Sequence, residues 1–381
     1  MKLWSLLVVF ALLSVNVCAQ TDFSQHSVSS KNLSQDITIQ VSLPESYLDS
    51  DTFRYPVMIV LDGSTQLNHI AGNIHFLSTY AIVPEMILVG VSANNRAKNF
   101  TPTSVDDDKE NTGGATQYKR FLEKELLPFL RQHYRIAPYE IITGHSLSGL
   151  FSCFIALQPD TVFDGAIAIS PSLWWDNNWL VKESKVVFKQ TRSSPFRWYL
   201  SLASEPDEMK TAFDQQVSLL DTQRQKNLFW HADRFPQETH DSTPAIGNLT
   251  AIRWLFHNWN AVPEMDVMPL KEIEAFYKTL AKQYGYQFPL SADQYNVYGL
   301  KAAYEGKTSW GVEILEEGVK QFPYSEVLWD SLATAQSLDG NTEMAIKASD
   351  KAVALASKKQ SKWLNEILAQ SSRLKMIDEP N

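Results

Sequence analysis

The apolar positions along this chain change their period, and the changes outline its architecture. Around residues 33–43 they alternate, with Ile37, Ile39, Val41 and Leu43 on one side, which predicts an antiparallel strand near the start of a sheet. The runs then become continuous at residues 56–61 (Pro-Val-Met-Ile-Val-Leu), 86–91, 140–142 and 166–169. Short unbroken runs of this kind belong to strands buried on both faces, as in parallel sheets covered by helices. Residues 198–203 and 228–235 predict two further strands, with a helix over about 209–226 between them. Tyr118, Phe121, Leu122, Leu126, Phe129 and Leu130 form the apolar stripe of an amphipathic helix leading to the strand near residue 140. Strand and helix alternate throughout, so the expected fold class is α/β with a mostly parallel central sheet.

After Pro263 strand signals stop and helical patterns run to the end of the chain. A 34-residue step pairs Tyr295 with Trp329, Gly299 with Ala333, Gly306 with Gly340, Gly311 with Ala345 and Gly318 with Ala352. These match the large and small positions of a tetratricopeptide-like repeat, in which small residues let paired helices approach closely. A last helix carrying Trp363, Leu364, Ile367, Leu368 and Leu374 caps the stack in this reading. Two repeats bury little on their own. They are therefore expected either to pack on the preceding domain or to offer a groove to a protein partner. The division expected is a signal peptide over 1–19, an α/β domain over 20–262 and an all-α helical-repeat domain over 263–381.

Composition narrows the function classes. The 381 residues are 44% hydrophobic and 12% aromatic, an ordinary globular balance. A net charge of −9 without a long basic cluster argues against nucleic acid and anionic membrane surfaces as partners. Lys2, an apolar run over residues 3–15 and Val17-Cys18-Ala19 read as a cleavable secretory signal, too short for a membrane span. That implies a secreted or periplasmic protein with no span after cleavage. Cys153 is then the only cysteine, which excludes an intramolecular disulfide, and its place in a helix marks it as a small buried hydrophobe. Asn32, Asn99 and Asn248 begin N-x-S/T strings, which matter only in a host that glycosylates.

Candidate chemistry centres on residues 139–154. Ile141 and Ile142 precede Gly144, and Leu147, Leu150, Phe151, Phe154 and Ile155 follow with helical spacing, so Ser146 lies at the apex of a strand–turn–helix elbow. Such a turn exposes the serine hydroxyl above the sheet and points unpaired first-turn N–H groups, beginning with Leu147, at a developing oxyanion. The pattern departs from G-x-S-x-G, because Ser148 stands where the second glycine is usual and Gly149 follows it.

In open α/β sheets, functional groups collect on loops at the carboxyl ends of strands. Beyond the 198–203 strand come Ser204-Glu205-Pro206-Asp207, and beyond the 228–235 strand come Gln237-Glu238-Thr239-His240. Serine, acid and histidine thus follow in the chain order of α/β-hydrolases. Of four histidines from the elbow onward, His145 adjoins the serine, His231 lies within a strand and His257 within a helix. His240 is the one in a strand-end loop. Glu205 is the first choice for the orienting acid, with Asp207 second and Asp176 third. The second oxyanion donor is sought at Gly63 and Ser64, just past the 56–61 strand.

These motifs together resemble the putative-esterase family of α/β-hydrolases, which includes siderophore (enterobactin) esterases and esterase D. The resemblance covers roughly residues 23–260. It rests on Tyr55-Pro56-Val57 through Leu61-Asp62-Gly63, Asn95-Arg96 with Phe100-Thr101-Pro102, Gly144-His145-Ser146-Leu147, Ser170-Pro171-Ser172-Leu173-Trp174-Trp175 and Glu238-Thr239-His240. It implies a serine esterase acting on a small-molecule ester, with His240 as base and neither metal nor other cofactor. Lys98-Asn99 stands where the family often has Arg-Asp, so substrate preference can differ. Arg96, Trp174 and Trp175 are candidates for the substrate pocket. The long loop from Arg96 to Gly114 reads either as a solvated loop or as a lid at the mouth. Two other functions fit the same residues: a catalytically inactive hydrolase fold that docks partners through its helices, supported only by Ser148, and an acyltransferase.

Overall fold

The computed structural model describes residues 23–223, 225–259 and 266–378. The expected signal peptide and the expected domain boundary at 262/263 lie outside the described residues. The core is one eight-stranded sheet ordered β1-β2-β4-β3-β5-β6-β7-β8. Its strands are β1 Ser24–Ser30, β2 Gln35–Ser42, β3 Tyr55–Leu61, β4 Ile87–Val91, β5 Ile136–His145, β6 Gly165–Ile169, β7 Phe196–Ala203 and β8 Leu228–Phe235. β2 pairs antiparallel with β1 and β4, and every pairing from β4 to β8 is parallel. This is the α/β-hydrolase arrangement. Among the described residues no helix is long and apolar enough to cross a membrane.

Strand alternation sorts the core into two layers. Met58, Val60, Leu88, Ile141, Ile167 and Tyr199 face one side, packing against the helices Gly63–Thr79 and Thr243–Leu255. Val57, Ile59, Leu61, Val89, Ile142 and Leu200 face the other, packing against Leu147–Ala156 and the helices around it. With both faces covered, the central strands read as unbroken apolar runs. Two features depart from the sequence reading. β1 was not anticipated, because Ser-Gln-His-Ser-Val-Ser-Ser carries almost no apolar signal and only Val28 and Ser30 are buried. β5 is also longer than the apolar run at 140–142, beginning at Ile136. Its pairing with β3 slips between Tyr55 and Val57, opposite the stretch holding Pro138, whose missing N–H cannot join the ladder.

The helix preceding β5 runs from Ala115 to His133 with a π-helical turn at Leu122–Leu126, where Leu127 N–H donates to Leu122 O. Pro128 follows directly, and the widened turn accommodates a residue that cannot donate within the helix. Cys153 is fully buried in the next helix, as expected, and burial pushes its thiol pKa up. Asn99 and Asn248 are buried as well, so neither can carry a glycan in the folded chain.

The C-terminal region is all helical. Helices beginning at Ala292 and Thr308 are followed by helices beginning at Glu326 and Thr342, each 34 residues on, and Leu364–Asp378 closes the series. Close approach explains the small residues. A Cβ on Gly299 would meet Leu315 at 2.5 Å, and one on Gly318 would meet Tyr295 at 2.9 Å. The expected packing of this region on the α/β domain occurs. Tyr139 of β5 lies 4.8 Å from Phe288, Trp259 lies 4.8 Å from Phe288, and Phe53 lies 4.8 Å from Phe322, measured between ring centroids. Tyr277 and Tyr284 donate to the main-chain carbonyls of Trp259 and Leu255.

Charge joins the same two regions. Lys359 bridges Asp49 and Glu326 at 2.5 Å each, and Lys362 pairs with Glu45 at 2.6 Å. Next to them Glu85, 3% exposed, accepts from the hydroxyl of Ser46 at 2.7 Å. Burial raises the Glu85 carboxyl to about 7, and burial with nearby Glu85 raises Asp293 to about 8. Between the ordinary carboxylate range and about pH 7, folded Glu85 keeps its proton while the unfolded chain has lost it. Because only the unfolded chain releases the proton in that window, the contribution of Glu85 to stability is full below the ordinary carboxylate range, falls as pH rises across the window and is gone above about 7. Glu85→Gln is therefore expected to stabilise the protein at pH 8, on the order of 1 kcal/mol more than at pH 5, in denaturant titrations. An equal effect at both pH values would contradict this origin.

Candidate active site

β5 ends in Gly144 and His145, and the next helix begins at Leu147, which leaves Ser146 alone to reverse the chain. It does so at φ 61° and ψ −117°. That region is sparsely populated by L-residues and costs of order 1–3 kcal/mol unless neighbours enforce it. They do. Ser146 N–H donates to Ile169 O at 3.0 Å, while Ser146 O accepts from Leu150 N–H at 2.9 Å and Ser172 N–H at 3.1 Å. A Cβ on Gly144 would meet Ser148 O at 2.3 Å, and one on Gly149 would meet Ile169 O at 2.9 Å. The turn's tight approach thus falls on Gly149, one place later than in G-x-S-x-G.

Ser148 is fully buried and forms a clasp of its own. Its hydroxyl accepts from His145 N–H at 2.8 Å and lies 2.7 Å from Asp62 Oδ2, to which it donates. Asp62 also holds Arg96 through both carboxylate oxygens, at 2.8 and 2.9 Å. The Arg96 guanidinium comes within 3.5 Å of His145 O. Arg96 is thereby placed beside the elbow, with 44% of its side chain exposed.

Glu205 follows β7 and His240 follows β8, as their strand-end positions predict. His240 Nδ1 lies 3.0 Å from Glu205 Oε1, with the carboxylate 1% exposed and the imidazole 33% exposed. Ser204 N–H donates to Glu238 O at 3.0 Å and so joins the two loops. Neither alternative acid occupies that position: Asp207 is exposed at the start of the next helix, and Asp176 opens a left-handed run through Asn178. The His240 ring lies 4.5 Å from that of His145, which brings the loop onto the elbow. Ser146 Oγ lies 3.5 Å from Ser172 Oγ.

Leu147, Gly63 and Ser64 each stand at the first or second position of a helix, where N–H groups have no acceptor within the helix. Gly63 is pressed against β4, since a Cβ there would meet the Gly90 Cα at 2.5 Å, whereas Ser64 is exposed. Trp174 and Trp175 are half-buried with ring centroids 6.3 Å apart, and Trp175 donates to Thr103 at 3.1 Å. The loop from Arg96 to Gly114 is folded on itself. Gly114 N–H bonds Lys98 O, Gly113 N–H bonds the Thr101 hydroxyl, and Lys98 Nζ donates to Thr112 O. Sequence reasoning missed Asp62 and set His145 aside. The signal for Asp62 was its place at the end of β3, before a helix.

The family model described as "Putative esterase" matches residues 30–252, and the chain belongs to that family of α/β-hydrolase proteins. Among curated relatives, the uncharacterised protein YbbA of Bacillus subtilis is 24% identical over 46% of this chain and 71% of its own length. The ferri-bacillibactin esterase BesA of the same organism is 28% identical over 41% of this chain and 61% of its own length. The siderophore triacetylfusarinine C esterase of Aspergillus fumigatus is 26% identical over 40% of this chain and 57% of its own. Among solved structures, an IroE-like serine hydrolase from Shewanella oneidensis shares the fold with a TM-score of 0.72 at 24% identity, covering 79% of this chain and all of its own. An uncharacterised protein from Capnocytophaga ochracea covers 93% of this chain and all of its own at 16% identity and a TM-score of 0.57. Coverage that wide takes the likeness into the C-terminal helices.

The clasp carries a direct expectation. Ser148→Ala leaves Asp62 Oδ2 and His145 N–H each short of a buried partner, and should cost about 1–3 kcal/mol in urea unfolding. A loss below a few tenths of a kcal/mol would show that solvent or rearrangement replaces those bonds.

Proposed function

We propose that the protein is an exported serine esterase that cleaves carboxylic esters through an acyl-enzyme formed on Ser146. The observation that carries this reading is the Glu205–His240 pair, 3.0 Å long with a buried carboxylate, held against a strained serine elbow. In the proposed mechanism His240 takes the Ser146 proton as the hydroxyl attacks the ester carbonyl, and Glu205 stabilises the imidazolium that forms. The N–H groups of Leu147 and of Gly63 or Ser64 receive the oxyanion. His240 then returns the proton to the departing alcohol, and water repeats the sequence to release the acid. No residue in this scheme requires a metal or other cofactor. Export rests on the N-terminal sequence, and Arg96, Trp174 and Trp175 are proposed to border the substrate.

The names of two relatives support esters of the siderophore type as the substrate class to test first. Ser148 was the one feature that favoured an inactive fold. Its hydrogen bonds to Asp62 and His145 give it a structural reason to be there, which favours the active reading.

Ser146→Ala should lower turnover of a simple aryl ester by roughly 10³-fold or more with circular dichroism unchanged, and unaltered turnover would refute the nucleophile. Glu205→Gln should cost roughly 10²–10⁴-fold in kcat, whereas exposed Asp207→Asn should leave kcat within about twofold. The opposite ranking would move the acid to Asp207.

A further inference from the structure

His145 is spent by neither the nucleophile nor the acid–base pair, yet it adjoins Ser146 in the chain and its ring lies 4.5 Å from that of His240. A main-chain carbonyl can only accept, so the 2.9 Å contact between His145 Nε2 and His240 O requires a proton on Nε2. Burial, then the neighbouring His240, holds the His145 imidazole at about 4, with Arg96 acting the same way and Asp62 and the hydrogen bond to His240 opposing. The ring is therefore neutral near pH 7, with Nδ1 unprotonated. Its main chain is fixed independently by Ser148.

The loop that carries His240 needs such an anchor. Among the described residues its hydrogen bonds run within the loop, to the Glu205 loop and, through His145, to the elbow. Glu205 fixes the rotation of the His240 ring at Nδ1. It leaves the separation between the His240 main chain and the β5 turn to another contact.

We infer that His145 is a positioning residue, whose Nε2–H bond to the His240 carbonyl sets the base relative to Ser146. This rests on the reading of Ser146 and His240 as nucleophile and base. Neutrality matters because a second cation 4.5 Å from His240 would oppose formation of its imidazolium. Geometry matters because a displacement of about 1 Å can cost on the order of 100-fold in rate.

The test compares His145→Leu, which has no donor, with His145→Gln, whose carboxamide N–H can reach the same carbonyl, both in the full chain. For p-nitrophenyl acetate, the Leu variant should lose about 10- to 100-fold in kcat with KM within about twofold. The Gln variant should recover to within about threefold of the native kcat. Nitrogen-15 NMR of the native protein at pH 7 should show His145 protonated at Nε2 alone. Native kcat in the Leu variant, a Gln variant as impaired as Leu at an unchanged Tm, or a proton on His145 Nδ1 would each overturn the inference. If the Leu variant does not fold, the Gln kinetics and the NMR signal decide. Failure of the underlying reading is distinct: Ser146→Ala would then keep native turnover while the His145 Nε2–H signal persisted.

Discussion

The strained main chain at Ser146 is the constraint on which the rest of the structure depends. A side-chain-bearing residue at φ 61° persists only where its surroundings over-determine it, and here three layers of the fold contribute. β6 supplies the Ile169 carbonyl, the segment after β6 supplies Ser172, and the elbow helix supplies Leu150. Gly144 and Gly149 remove the side chains that would otherwise hold strand and helix apart. Parallel pairing of β5 with β3 and β6 fixes the strand end from both sides, so the serine is presented by a rigid scaffold.

From that point the network spreads along the carboxyl edge of the sheet. Asp62 after β3, Arg96 after β4, Ser148 after β5, Glu205 after β7 and His240 after β8 come from five different strand ends. They are linked into two short chains, Arg96–Asp62–Ser148–His145 and His145–His240–Glu205, which share His145. The opposite end of the sheet serves stability. Tyr139 and Glu85 lie there against the C-terminal helices, where aromatic packing and paired lysines hold the two regions together. The proposed chemistry and the cohesion of the two regions thus occupy separate parts of the molecule.

Much of this is written in local pattern. The run at 56–61 lies within an observed strand because fully buried strands need uninterrupted apolar residues, whereas 228–235 coincides with the edge strand β8, in which no residue is fully buried. The 34-residue register survives into helix positions because Gly299, Gly311 and Gly318 face backbone or side chains that admit no larger group. The turn at Ser146 and the pairing of Glu205 with His240 were legible from their places at strand ends. β1 was not, since an edge strand of serines and glutamine carries no apolar alternation. Nor were the roles of Asp62 and His145, whose partners are 86 and 95 residues away and meet only through the sheet order. His145 looked unusable from its neighbour's side alone. Its ring turns toward the loop after β8 instead of toward Ser146.

The central claim is that Ser146 is the reactive nucleophile of this site. Its most direct measurement is intact-mass and peptide-mapping spectrometry after exposure of the full chain to an active-site-directed aryl phosphonate ester. One adduct per chain is expected, located on Ser146, formed with loss of the aryl leaving group and absent when the protein is unfolded first. An adduct elsewhere, or none under conditions where ester turnover is measurable, would contradict it.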